Sequence, residues 1–337
     1  MSKYTTMTET AQAAAVDIQE LKEQRRLLEF EKIKMRDERN EVSRLYRQQA
    51  RKESLDELFT RVVESYTPVQ LHSFRFEDEK NENTSLLIPI SDLHYGLNID
   101  NSFNKYNTEV AIERLNKYAT KVITIAQRHH SVEAQVMLLG DEISGLIHSN
   151  LRLENNENVV QQTMDAAELI SHFIYTLTPY FEVINVYSVS GNHSRVQPNK
   201  ELNAKGEDFD KFIPFYAKAK LQQCENVHFF DNTIDESIIS FTCHGKLIYG
   251  IHGDKDNLTN ATQRLTMFTR QKPDIIYAGH LHTNRMYTEF DTKVIQSGCI
   301  SGNDNYCIDN RISGKPEQAV AVIYNNGLDC LYDISLT

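Results

Sequence analysis

Ile88-Pro89-Ile90-Ser91-Asp92-Leu93-His94 decides the reading of this chain. Leu86 to Ile90 reads as a short buried strand, and Asp92 and His94 follow just past its end. Two residues apart, on the same side of an extended segment, a carboxylate and an imidazole can reach one cation. Alone, Asp-x-His carries little, because exposed Asp and His are ordinary turn residues. Four further strand-like runs end in the same chemistry: Leu139-Gly140-Asp141, Gly191-Asn192-His193, Ile251-His252-Gly253 and Gly279-His280-Leu281-His282. Together they predict a site for two metal ions.

Around these motifs, strands alternate with amphipathic helices. Strands are expected at Leu86–Ile90, Val136–Leu139, Val183–Val189, Ile238–Thr242, Leu247–Ile251 and Ile275–Ala278. Helices are expected at Thr108–Arg128, Val159–Thr178, Phe209–Gln223 and Leu258–Arg270. Such alternation argues for an α/β domain with a largely parallel sheet, whose working residues collect at the carboxyl ends of the strands. After His282 the helices stop. Arg285–Phe290, Lys293–Ser297, Ala319–Tyr324 and Leu331–Ile334 read as strands of a second, more antiparallel sheet. The fold class is therefore α/β, two packed mixed β-sheets flanked by helices, over residues 85–337.

Upstream lies a different kind of sequence. No Gly or Pro occurs before Pro68, and good helix formers dominate residues 16–66. Leu21, Leu28, Met35 and Val42 recur every seven residues, but Gln24, Glu31 and Glu38 occupy the companion positions, so only half a coiled-coil seam is present. Residues 1–66 read as a helical arm and 67–84 as a polar linker. An oligomerisation role is favoured over a solvated helix docked through Leu55, Leu58, Phe59, Val62 and Val63, and over a nucleic-acid-binding arm.

Composition bounds the rest. The 337 residues are 40% hydrophobic and 25% charged, as in water-soluble globular proteins. No run approaches the ~18 apolar residues of a membrane span, and Met1 to Ala15 lacks a signal peptide's apolar centre. The five cysteines form no CxxC pair, so neither a disulfide framework nor a structural zinc site is indicated. A cytoplasmic setting is the expectation. Residues 21–52 carry eleven Lys/Arg against six Asp/Glu, a surplus of five within a net charge of −11, which leaves −16 elsewhere. An acidic body does not attract nucleic acid nonspecifically, so such a substrate would be held by metal ions or a local basic patch.

The motifs supply imidazoles, two carboxylates and an amide without thiolates, a mixture suited to Mn²⁺, Fe²⁺ or Zn²⁺. Two metals ~3.5–4 Å apart need a bridging carboxylate, and Asp141 is the natural bridge because Gly140 lets the backbone approach closely. The ordered set Asp-x-His, Gly-Asp, Gly-Asn-His, His and Gly-His-x-His resembles the signature of the calcineurin-like metallophosphoesterases over roughly residues 85–300. The resemblance implies two divalent ions, Mn²⁺ first among them. One would take Asp92, His94, Asp141 and His282, and the other Asp141, Asn192, His252 and His280. It further implies His193 as the catalytic residue that protonates or stabilises the leaving oxygen, with a metal-bound hydroxide as nucleophile.

Two departures stand out. Ser194 follows Gly-Asn-His where the family usually has Asp or Glu, which removes one group that orients the histidine; Arg195 beside it is a candidate phosphate contact. Gly-Asp is followed by Glu142-Ile143-Ser144-Gly145 in place of Gly-Asp-x-x-Asp, and His148 beyond it is a candidate substrate contact or an ordinary surface histidine. His129 and His130 suit a helix C-terminus, and His72, His172, His228 and His244 read as structural. Ser301 to Tyr306 reads as a loop. The resemblance is nearest to the DNA-repair nuclease branch and leaves a partner ATPase open. Three function classes compete: a phosphodiesterase acting on nucleic acid, a phosphomonoesterase, and a scaffold without chemistry. The complete ligand set weighs against the last.

Overall fold

The computed structural model describes residues 21–46, 49, 57, 60, 84–147, 155–325 and 327–337. The chain divides into two units between Tyr66 and Thr67, each taken here by itself. In the first, residues 21–46 form one helix, α1. Its heptad residues Leu21, Leu28, Met35 and Val42 are all exposed, and Glu41 and Arg44 pair at 2.6 Å one turn apart. The five residues expected to dock this helix, from Leu55 to Val63, lie outside the described residues, as does the expected linker before Thr84. Among the described residues no helix is long and apolar enough to cross a membrane.

The second unit is two packed mixed β-sheets flanked by helices. The larger has the order β13-β12-β1-β4-β5-β6. In it β1 (Thr84–Ile90), β4 (Ser131–Leu138), β5 (Val183–Ser188) and β6 (Val227–Phe229) run parallel, while β12 (Glu317–Tyr324) and β13 (Gly327–Ser335) add antiparallel pairs. Every residue of β1 is buried, as a central strand covered on both faces must be. The smaller sheet has the order β10-β11-β9-β8-β7. Here β8 (Lys246–Ile251), β9 (Ile275–Ala278) and β11 (Thr292–Gln296) are parallel, with β7 (Ile239–Cys243) and β10 (Arg285–Glu289) antiparallel at the edges.

Period-two alternation sends one set of side chains between the sheets. Leu87, Met137, Tyr187 and Ala321 from the larger sheet meet Ile239, Ile248, Tyr277 and Ile295 from the smaller. The other faces carry helices. On the larger sheet lie α2 (Thr108–His129) and α3 (Val159–Leu177), whose first turns are capped by the side chains of Asn107 and Asn158. Tyr118 of α2 stacks on Phe173 of α3 at 5.4 Å and donates its hydroxyl to the Pro89 carbonyl of β1 at 2.7 Å. On the smaller sheet, α5 (Ala261–Thr269) buries Ala261 and Leu265 against Tyr249 and Ile276. Between α3 and α5 in sequence comes α4 (Phe212–Lys220).

The expected division into an earlier parallel sheet and a later antiparallel one is corrected. The late strands do not form a sheet of their own: β10 and β11 complete the sheet of β7, β8 and β9, whereas β12 and β13 return to pair beside β1. Each sheet thus has a parallel centre and antiparallel edges. Pairing across more than 200 residues leaves no local trace, which is why sequence order suggested the other partition. Four short elements were also not anticipated: β2 (Ile99–Asp100) with β3 (Lys105–Tyr106), β6, and α6 (Asn305–Asn310), which falls partly in the expected loop.

The return from β11 to β12 is tied down by Arg114 of α2. Its buried guanidinium donates to the carbonyls of Ile300 and Ser301, both at 2.7 Å, to Asn104 Oδ1 at 2.9 Å and to the Lys105 carbonyl at 3.3 Å. The amides of Ile300 and Ser301 in turn donate to the Asp92 carbonyl at 3.1 and 3.3 Å. Arg114→Met would leave the Ile300 carbonyl and Asn104 Oδ1 without this donor, while the Ser301 carbonyl would keep only the Asn104 amide. We expect a loss of about 3 kcal/mol in urea unfolding; a loss under about 1 kcal/mol would show that the clamp does not hold this loop.

Candidate metal centre

The motif residues collect where the parallel strands of both sheets end. Asp92 and His94 follow β1, Asp141 follows β4, Asn192 and His193 follow β5, His252 follows β8, and His280 and His282 follow β9. The sheets approach each other closely at this end. The Asp92 amide donates to the Gly140 carbonyl at 3.2 Å and the His94 amide to the Asp141 carbonyl at 2.9 Å. From the other sheet, the His280 amide donates to Asp92 Oδ2 at 2.9 Å.

These turns are strained. Asp92, His94, Asp141, His280 and His282 have φ between +46° and +69°, a region that non-glycine residues seldom occupy and that costs about 1–3 kcal/mol each. Two glycines let these turns close on each other and on the carboxylate. A Cβ on Gly140, whose φ is +90°, would meet the Gly191 nitrogen at 2.4 Å, and one on Gly191 would meet Asp141 Oδ1 at 2.1 Å.

Two groups of donors result. The ligand atoms of Asp92, His94 and His282 lie within 4.8 Å of one another, and so do those of Asp141, His252 and His280. Asp141 stands between them, since its ligand atom also lies within 4.8 Å of those of His94 and His193. Asn192 joins the second group through Oδ1, 3.1 Å from His252 Nε2. The buried Asp92 Oδ1 accepts no hydrogen bond among the described residues, although His282 Nε2 lies 3.2 Å away and His94 Nε2 3.8 Å away. An orphaned carboxylate oxygen facing two imidazole nitrogens fits a divalent cation.

The second contacts of the imidazoles set their tautomers. His252 Nδ1 lies 2.8 Å from the Leu139 carbonyl, and His193 Nδ1 lies 2.8 Å from the Ser144 carbonyl. A carbonyl only accepts, so Nδ1 carries the proton in each and the chemistry falls to Nε2. The Ser144 carbonyl thereby fixes the His193 ring without an acid at position 194. Ser194 itself is buried and donates to the Gly191 carbonyl at 2.9 Å. The His193 ring meets His94 edge-on at 4.5 Å, and its amide donates to Asp141 Oδ1 at 2.7 Å.

Burial and charge oppose each other throughout. Burial raises the Asp141 carboxyl, but the charges of His252 and His193 hold it well below the usual range. Burial lowers His252, yet Asp141 beside it brings it up to about 10. His94 is brought down to about 3 by burial and by His193, against the pull of Asp141.

Arg195, expected as a candidate phosphate contact, lies beside the Asn192 turn. Its Nε donates to the Asn192 carbonyl at 3.0 Å, holding the ligand turn. His148 lies outside the described residues. Asp210, which has no motif context in the sequence, proves central: Oδ2 accepts from the amides of Asp141 at 3.1 Å and Gly191 at 2.9 Å. Beside it, Glu142 Oε1 accepts from the Gly140 amide at 3.1 Å. Burial and the Asp210 charge push the Glu142 carboxyl well above the usual range, and burial with the Asp141 charge pushes Asp210 up to about 7. An Asp one residue into a helical pattern reads as an ordinary first-turn acid, so the sequence offered no signal for this role.

No family model matches the chain. The SPbeta prophage-derived uncharacterized protein YonJ of Bacillus subtilis (strain 168) is 22% identical over 316 residues, covering 89% of this chain and 77% of that protein. Among solved structures, a novel archaeal phosphodiesterase is similar with a TM-score of 0.38 and 12% identity, over 75% of this chain and 99% of that one. Hypothetical protein PH1004 from Pyrococcus horikoshii OT3 is similar with a TM-score of 0.40 and 9% identity, over 74% and 87%. Vacuolar protein sorting 29 from Cryptosporidium parvum is similar with 0.36 and 12%, over 76% and 100%. These likenesses are too distant to assign an activity, which rests below on the chain's own residues.

The raised Asp210 carboxyl has a measurable consequence. Asp210 stays protonated up to about pH 7 when folded but ionises near 3.8 when unfolded, so folding binds a proton and stability falls as pH rises through that window. Asp210→Asn keeps an acceptor for the two amides and cannot ionise. In urea unfolding of the chelator-treated protein, the variant should gain on the parent steadily from about pH 4 to 7 and level off above. A constant difference across that range would show that Asp210 is already ionised in the fold.

Proposed function

We propose that this protein is a two-metal-dependent phosphodiesterase of the calcineurin-like metallophosphoesterase type, acting on nucleic acid. The observation that carries this reading is the pair of carboxylate–imidazole groups joined at Asp141, with His193 fixed beside them by Ser144. Asp92, His94 and His282 would hold one cation with Asp141, and Asn192, His252 and His280 the other with Asp141. Mn²⁺ is the first candidate, with Fe²⁺ and Zn²⁺ also suited to these donors. When bound, such ions supply Lewis acidity toward the phosphoryl oxygens and lower the pKa of water.

The protein's own side chains supply the rest. With Nδ1 committed to Ser144, His193 presents Nε2 as the atom that delivers a proton to the leaving oxygen. The His193 amide, bonded to Asp141, ties the position of the acid to that of the proposed bridge. Arg195 keeps the Asn192 turn in place, so the charge opposing the phosphate comes chiefly from cations. A diester, with one negative charge, suits that balance better than a monoester with up to two. Resemblance to the DNA-repair nuclease branch then favours single-stranded or end-frayed DNA.

The test compares a bis-aryl phosphodiester with the aryl monoester of the same leaving group, in Mn²⁺. We expect kcat/KM to favour the diester. His193→Ala should keep its metals and lose ~10²–10⁴-fold in turnover, whereas Asp141→Asn should lose both ions by elemental analysis. Preference for the monoester would move the protein to the phosphatase class, and loss of metal in His193→Ala would refute its role as proton donor.

We also assign self-association to α1. Four apolar residues at heptad spacing stand exposed on one helix, and a single helix cannot bury such a seam alone. Deleting residues 1–66 should lower the mass measured by light scattering while leaving hydrolysis of the small diester within about twofold, since the metal centre lies wholly in the second unit. An unchanged mass would remove the assembly role, and reduced DNA binding at unchanged mass would mark α1 as a nucleic-acid arm.

A further inference from the structure

A cavity of about 450 Å³ opens at the edge of the larger sheet, between the ends of β5 and β6 and the start of α4. Ser188 lines it from β5, Ser190 from the turn after β5, Phe230 from the turn after β6, and Lys211, Phe215 and Lys218 from α4 and the turn before it. Its volume falls within the range of small-molecule sites. The cavity adjoins the metal centre. Asp210, which holds the amides of Asp141 and Gly191, is also one of its lining residues. Ser190 precedes Asn192 by two residues, a span of at most about 7 Å, comparable to the separation of base and phosphate within one nucleotide.

The walls have a distinct chemistry. Phe215 is 55% exposed and Phe230 47% exposed. Phe230 is backed by Tyr187, stacked at 5.2 Å, which stacks in turn on Phe241 at 4.3 Å. An exposed ring held from behind by a stack is a platform for another planar group. Ser188 and Ser190 are half-buried, and their hydroxyls make no hydrogen bond among the described residues. Each can donate to or accept from a base edge.

Charge narrows the occupant. Lys211 pairs with Glu236 at 2.6 Å, and Asp231 also lines the cavity, so both signs are present and a bare anion is not favoured within. A neutral planar heterocycle is. Lys218, exposed and without an ion pair among the described residues, stands at the wall to meet a neighbouring phosphate.

We propose that this cavity receives the nucleoside part of a phosphodiester whose phosphorus lies at the metal centre, with the base against Phe215 and Phe230. The proposal rests on the phosphodiesterase reading above and names the substrate class, a nucleoside-bearing diester. It gives α4 and the β6 edge a role in selecting substrate.

The test uses the full-length chain in Mn²⁺ with two diesters that share a leaving group, one with a base and one without a second ring: thymidine 5′-(4-nitrophenyl phosphate) and methyl 4-nitrophenyl phosphate. The quantity read is the ratio of their kcat/KM values. Phe215→Ala should lower the ratio about fivefold or more, the lower end of what base–aromatic stacking contributes, and Phe215→Trp should restore it. Phe268→Ala, an exposed phenylalanine on α5, should leave the ratio as in the parent. Phe215 is exposed, so the variant is expected to fold, which far-ultraviolet circular dichroism checks. A ratio unchanged in Phe215→Ala, with both diesters still hydrolysed, overturns the pocket and leaves the phosphodiesterase reading standing. Failure of the metal-loaded parent to hydrolyse either diester overturns both.

Discussion

Two carboxylates with almost no access to water, Asp92 at 0% and Asp141 at 1% exposed, are the constraint on which this structure depends. An ionised carboxylate in such a place needs partners, because desolvation without compensation costs several kcal/mol. The partners arrive from all sides. Asp92 Oδ2 takes the hydroxyl of Ser91 and the amide of His280. Asp141 takes the amide of His193 and faces His252 at 3.2 Å. What hydrogen bonds leave over is met by imidazoles, and imidazoles around a carboxylate are equally a set of metal ligands.

Bringing that set together requires two sheets. One parallel strand end presents a turn of two or three residues, too few for the whole constellation. Packing the carboxyl ends of β1, β4 and β5 against those of β8 and β9 places five such turns around one point. The backbone strain follows from the crowding, since residues in left-handed turns point side chains inward that extended chain would send to either face. Parallel pairing, the inter-sheet core and the Arg114 clamp supply the stability against which this strain is held.

The acid pair beneath the site extends the same logic. Asp210 and Glu142 accept the amides of Gly140, Asp141 and Gly191, which point into the protein because the turns are so tight. Burial and repulsion between the two carboxylates disfavour ionising both, which raises both carboxyl groups above the usual range. Asp210 also lines the cavity at the β6 edge. The residue that steadies the proposed bridging ligand is therefore also part of the wall where a nucleoside would lie, so one side chain would join the proposed metal centre to the proposed pocket.

Sequence alone determined much of the plan. The apolar runs, their spacing and the Asp, Asn and His residues after them marked every strand end that now surrounds the centre, because each motif is local and a strand's end is written in a few residues. Asp92, His94, Asp141, Asn192, His193, His252, His280 and His282 were legible for that reason. Only tertiary structure decided which strands share a sheet, that Ser144 orients His193, that Arg195 holds a carbonyl, and that Asp210 underpins Asp141. Except for the local Arg195–Asn192 contact, these join segments far apart in the chain, and most are made through a backbone carbonyl or amide. Every residue carries those groups, so no residue type announces them in the sequence.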